Sequence, residues 1–191
     1  MTRYAADHKQ KTHEAIIEKA AELVRTGGLE GLGVAAVMAE AGLTHGGFYA
    51  HFRSRDALLA AAVTRLFDKA VDGVGRYEAK YGPKAGLERY VDFYLSPRHR
   101  DDMAIGCPIP ALAGEARRAP PQVAKAFDDG LERLAQRLGK LMRGGHSTNK
   151  KGAALALLAE MAGVLTVSRA MTDVRQSNEL LTSKRKSVLA S

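Results

Sequence analysis

Gly42 separates two runs that are each too short to be a stable helix alone, Val34–Ala41 and Leu43–His51, and no other feature constrains the fold so tightly. Isolated helices below roughly 12–15 residues are marginal in water, so both runs must pack on each other and on a third element. A glycine between them lets the chain reverse over a few residues at the roughly 90–120° of a helix-turn-helix. Thr44 is placed to cap the second run. That run's first turn is then short and exposed, as entry into a major groove about 12 Å wide requires. By itself Ala41-Gly42-Leu43 is weak evidence, because many helical proteins contain such a turn.

The rest of the chain reads as helix too. Ala, Leu, Glu, Lys and Arg dominate, no alternating pattern lasts more than a few residues, and Gly and Pro fall between periodic segments. Ala15, Ile16, Ala20 and Leu23 place a first helix at about His8–Thr26, stopped by Gly27-Gly28. Ser54 caps a helix from Arg55 to about Gly73, and Val74–Gly82 is expected to break up around its glycines. Further helices are expected at about Lys84–Leu95, Pro108–Arg118, Gln122–Arg143, Gly152–Met171 and Asn178–Val188. A polar loop is expected at Arg98–Met103. The fold class is therefore all-α, with a three-helix head over residues 1–55 and a helical ligand-binding and dimerisation domain over residues 56–191.

Composition narrows the function classes. The net charge is +8, but residues 1–60 carry seven Lys/Arg against seven Asp/Glu, so the excess lies wholly in the later domain. Bulk charge therefore supports nucleic-acid binding only weakly, and placement matters more. One cysteine, Cys107, excludes an internal disulfide framework and a clustered-cysteine zinc site. No stretch approaches roughly 18 consecutive apolar residues and no apolar run follows the first charges, so a soluble, cytoplasmic protein without a membrane partner is expected. P-loop, dinucleotide fingerprint, Gly-x-Ser-x-Gly and His-Glu-x-x-His patterns are missing from the sequence, which argues against an enzyme and against a cofactor.

From Gly42 to Leu59 the chain reads GLTHGGFYAHFRSRDALL. The aromatic pair Phe48-Tyr49, then Phe52, then Ser-basic-acidic-x-Leu-Leu resembles the recognition-helix region of TetR/AcrR-family regulators. The pattern of Ile16, Ala20, Leu23, Gly27 and Gly28 extends the resemblance over about residues 10–60. Two positions depart from it: Gly33 where a capping Ser or Thr is common, and Arg55 where a Lys is common. The resemblance implies a homodimeric regulator, most often a repressor, that binds a palindromic operator in double-stranded DNA and is released by a small-molecule or electrophile signal. It implies that Thr44 caps the recognition helix and reaches a phosphate, and that His45, Gly46 and Gly47 face bases. Tyr49, His51 and Arg55 are implied at phosphates, with Phe48 and Phe52 as core. With two glycines in the reading turn, sequence choice is expected to lean on His45, backbone approach and DNA shape.

A dimer is expected through the last two helices, because Gly152–Met171 carries only Glu160 and Arg169 as charges and is too apolar all round for a surface helix. Leu180, Leu181, Val188 and Leu189 are expected to complete that seam. Phe93, Tyr94, Met103, Ile105, Ile109, Leu112, Phe127, Leu131, Leu134 and Met161 are candidates to line an apolar effector cavity, and equally to be ordinary core. Cys107, just before Pro108, is either a thiol sensor at a helix N-terminus or an inert buried hydrophobe, the second favoured. His99 with Asp101 and Asp102 is read as solvated charge rather than a metal site. The competing reading of the whole chain is a helical interaction module that binds no DNA.

Overall fold

The computed structural model describes residues 3–142 and 150–190, and every regular element among them is a helix. The head comprises α1 (Arg3–Gly27), α2 (Val34–Glu40) and a 3-10 helix (His45–Ala50), the expected recognition helix. The larger part comprises α3 (Arg55–Tyr81), α4 (Pro83–Tyr94), α5 (Pro97–Asp101), a 3-10 turn (Met103–Ile105), α6 (Pro108–Ala116), α7 (Pro121–Leu141), α8 (Lys150–Ala170) and α9 (Val174–Ala190).

α3 joins the two parts. Ser54 opens it by accepting the Ala57 N–H at 3.1 Å, the capping bond that satisfies one of four orphan donors. Leu58, Leu59, Ala62 and Val63 face the head, and Leu66, Phe67 and Val74 continue the same buried stripe into the larger part. Contrary to expectation, α3 does not stop at Gly73 but runs to Tyr81. Each interior glycine costs about 1 kcal/mol against alanine, but burying Phe67 and Val74 and pairing Glu78 with Arg137 at 2.7 Å outweigh that. Its main partner is α7. A Cβ on Gly130 would lie 2.3 Å from the Phe67 ring, so this glycine is what lets the two helices approach. Phe127, one turn earlier, meets the same ring edge-on at 5.2 Å.

Three other expectations are corrected. The segment expected as a polar loop contains α5, because Ser96 caps it by accepting from His99 N at 3.2 Å and Pro97 fits its first position. α9 starts at Val174 rather than Asn178, because Asp173 accepts the N–H groups of Arg175 and Gln176 at 2.9 and 3.1 Å. Leu181, expected at a partner, is already in the core. The expected end of the seventh helix at Arg143, with Gly144-Gly145, lies outside the described residues.

α8 packs Ala154, Leu158, Met161, Ala162 and Leu165 inward, against α6, α7 and α9. By length and composition it is apolar enough to cross a membrane, which counting consecutive apolar residues had missed. Its two faces differ, however. The inward one is core, and the outward one is a row of small residues broken by Leu155 and Val167.

Candidate DNA-contacting element and ligand cavity

The turn between α2 and the recognition helix is built on Gly42, whose φ of +71° is strained for any residue with a Cβ. Its N–H bonds Ala39 O at 2.9 Å, and Leu43 N bonds Met38 O at 2.8 Å, closing the end of α2. Phe48 and Phe52 lie 5.8 Å apart, ring on ring, in the head core. His13 of α1 stacks on Phe52 at 4.5 Å. These rings fix which face of the recognition helix is inward, and the other face is presented to solvent.

On that outer face lie Thr44, His45, Gly46 and, most prominently, Tyr49, which is 73% exposed. Gly47 is half-buried. The element is 3-10 rather than α-helical, in keeping with the poor helix propensity of its two glycines. Thr44 holds the N-cap position, but its hydroxyl makes no capping bond. The oxygen expected to close the helix is left outward, able to donate to an external acceptor. His51 is half-buried, and its Nδ1 has no hydrogen-bond partner among the described residues. Burial first, then the nearby positive charges of His13 and Lys9, hold its pKa below the ordinary histidine value. A neutral ring that donates through one nitrogen is therefore the resting form.

Arg55 departs from expectation. Its Nε donates to Leu32 O at 2.9 Å, and Nη2 donates to Leu29 O and Glu30 O at 2.9 and 3.2 Å. The guanidinium expected at a phosphate instead ties the loop between α1 and α2 to the start of α3. Arg53, two residues earlier, is exposed.

A second concave site lies between α1, α3, α4 and the segment 103–107, with a volume of about 640 Å³, inside the range of small-molecule pockets. Of the residues proposed from sequence, Phe93, Tyr94, Ile105 and Cys107 meet there. Ile109, Leu112, Phe127, Leu134 and Met161 are buried in the core instead, Leu131 is partly buried against it, and Met103 is largely exposed. Arg25, Tyr77, Tyr90, Arg98 and His99 are among the other residues of the wall, and sequence reasoning had missed them. Only their three-dimensional neighbours reveal them, since nothing in their spacing singles them out.

His99 is the plainest correction. Far from being solvated charge, it is 1% exposed. Its Nδ1 lies 2.8 Å from Tyr94 O, and its Nε2 accepts the Cys107 N–H at 3.0 Å, which places the ring proton on Nδ1. Burial outweighs the Tyr94 carbonyl and pushes its pKa down to about 4. Asp102 caps the following turn by accepting from Ala104 N, and Asp101 pairs with Arg100. Cys107 does hold the N-cap position of α6, as expected, but it is buried and makes no side-chain cap. Burial raises its thiol pKa, against the smaller opposite pull of Tyr94, Ile109, Arg169 and Arg25.

The two sites are tied together. Arg25, near the end of α1, donates through Nη1 to Ala104 O in the cavity wall. Glu115 of α6 accepts from Leu29 N at 2.9 Å and Glu30 N at 3.3 Å, in the loop that Arg55 also grips. The stretch 104–115 thus contacts the head at two points, both on the path from α1 to α2.

Residues 16–62 match the family described as bacterial regulatory proteins, tetR family. An HTH-type transcriptional regulator of Bacillus subtilis strain 168, YvdT, is 28% identical over 96 residues, 49% of this chain. That match spans about half the length of YvdT. In the solved structure of E. coli NemR in its reduced form, 95% of the chain superposes on 93% of this one, with a TM-score of 0.76 at 19% identity. A TetR-family regulator from Agrobacterium tumefaciens gives 0.74 at 18% identity, over 93% of this chain and 97% of its own. These likenesses extend the all-α fold through the larger part, and the match at 16–62 falls on α1, α2, the recognition helix and the start of α3. The head from α1 to the start of α3 is thus a segment of the kind found in bacterial regulatory proteins of the tetR family.

Proposed function

We propose that the protein is a ligand-responsive transcriptional repressor that binds a near-palindromic operator as a homodimer, through a head over residues 1–55. The observation that carries this reading is the outward face of the recognition helix. Tyr49 stands clear of the head there beside the free Thr44 hydroxyl, His45 and the bare backbone of Gly46. Such a face has no packing role and suits a groove. Thr44 and Tyr49 donate to phosphates, joined by His51 through its neutral ring, while His45, Gly46 and Gly47 face base edges. Arg55 acts from behind as a positioning residue.

The domain over residues 56–191 supplies the dimer face and the effector site. Outward from α8 lie Ala156, Ala159, Gly163 and Val167, small enough for close helix packing, and Val167 is 54% exposed. A bundle of α8 and α9 with the same pair of a second copy covers that row and places two heads side by side, as paired half-sites demand. The cytoplasm follows as the compartment for such a regulator.

Selection from random duplex DNA tests the reading. Recovered sequences are expected to converge on an inverted repeat with half-sites about one helical turn, or a small multiple, apart, and His45→Ala is expected to change the bases selected. Recovery of no sequence, with no retention of duplex DNA at low salt, favours the helical interaction module instead.

A further inference from the structure

We propose that the 640 Å³ cavity binds an organic carboxylate with an aromatic body, its anionic head held by Arg25 Nε and the Tyr94 hydroxyl. This rests on the ligand-responsive reading above and names the class of ligand for it.

The polar groups in the cavity wall are the first ground. Tyr94 is 1% exposed and Arg25 is 9% exposed, and both line the cavity. Neither the Tyr94 hydroxyl nor Arg25 Nε has a hydrogen-bond partner among the described residues. The one side chain that interacts with the hydroxyl is the Cys107 thiol, a weak acceptor that a carboxylate oxygen outcompetes. Buried polar groups are almost always satisfied, so two orphans in one wall mark a place for a missing partner. Both are donors, so that partner must accept. His99 adds no unused acceptor, since both its nitrogens are engaged.

Charge and shape then choose among acceptors. Arg25, Lys69, Arg76, Lys80 and Arg98 line the cavity together with one carboxylate, Asp72. Lys69 is paired with Glu18, but no carboxylate pairs with Arg25 among the described residues. A carboxylate forms charge-assisted bonds to a guanidinium that a neutral carbonyl cannot match. Tyr77, Tyr81, Tyr90 and Phe93 bring four more rings to the wall, a surface for a planar ring. Burial, against the smaller opposite pull of Glu22, Glu18, Cys107 and Asp102, holds the Arg25 pKa below its ordinary value, a penalty that an anion bound beside it reduces. Since the same guanidinium also ties α1 to Ala104, a carboxylate at Nε acts on the joint between cavity and head.

The test is calorimetric titration of the full chain with 2-naphthoate and its neutral isostere 2-naphthamide, without DNA. Naphthoate is expected to bind saturably and at least about tenfold more tightly. Arg25→Gln is expected to abolish that preference. Tyr94→Phe, which keeps the ring and its packing, is expected to weaken naphthoate about three- to tenfold, and it carries the test should Arg25→Gln fail to fold. Equal affinity for the two probes, no binding of either at millimolar concentration, or an unchanged preference in Tyr94→Phe overturns the proposal. A second arm follows release of the selected duplex by naphthoate, expected in the wild type and lost in Arg25→Gln. Calorimetry as expected with no release upholds the site and counts against the repressor reading alone.

Discussion

His99 shows how one side chain can set the pH range of the whole protein. It is neutral in the fold, with a pKa of about 4, whereas an unfolded chain protonates it near 6.5. The unfolded state therefore binds more protons between those values. The stability this group contributes is full above about pH 6.5 and falls as the pH drops toward 4. Between pH 7 and about pH 5 the loss from this residue is on the order of 2 kcal/mol. Urea unfolding of the wild type and His99→Gln at both values checks this. The wild type is expected to lose more than the variant, and equal losses contradict the neutral, buried imidazole. The residue also marks a limit of sequence reading. Flanked by Pro97, Arg98, Arg100 and Asp101, it looks solvated, because its partners, Tyr94 O and Cys107 N, are backbone atoms that leave no compositional trace. Arg55 misleads for the same reason, since all three of its acceptors are carbonyls.

Among the elements, the recognition helix is the one that gives up stability for access. A Cβ at Gly46 meets nothing within 4 Å and the position is exposed, so the fold does not demand glycine there. Gly46→Ala is expected to stabilise the protein by about 0.5–1 kcal/mol through helix propensity. It is also expected to weaken operator binding severalfold, because the methyl stands where the backbone approaches the groove. Thermal unfolding and an equilibrium DNA titration measure the two effects, and a lowered midpoint contradicts the open geometry. The existence and order of every helix except the short α5 and the 3-10 turn after it were legible from periodicity and from Gly and Pro, and the turn from Gly42. Their ends were not, where a cap decided them: Asp173 extends α9 forward, and Ser96 makes α5 from a polar string. The length of α3 was hidden because packing of Phe67 and Val74 on α7 overrides two glycines, a tertiary effect with no local signature.

At the scale of the whole molecule, the proposed dimer holds two heads at a fixed spacing, and the outward row of α8 is the surface proposed for its seam. Gly163 lies in that row with open space around it. Gly163→Arg is therefore expected to leave the protomer folded while blocking close approach of a second copy. Sedimentation is expected to show a folded monomer at concentrations where the wild type is a dimer. A variant that remains dimeric contradicts the α8 seam. Such a monomer is also expected to lose most of its affinity for the full operator, since half the contacts go.

The central claim is that the exposed face of the recognition helix grips DNA. Titrating a selected duplex and an unrelated one with wild type and Tyr49→Ala, over a range of salt, tests it most directly. Tyr49 is 73% exposed and contributes little to the fold, so its loss is expected to leave thermal stability within about 0.5 kcal/mol. Affinity for both duplexes is expected to fall together, by roughly tenfold, as removal of a phosphate contact without base readout requires. Unchanged affinity for both duplexes in a folded Tyr49→Ala protein would contradict the account.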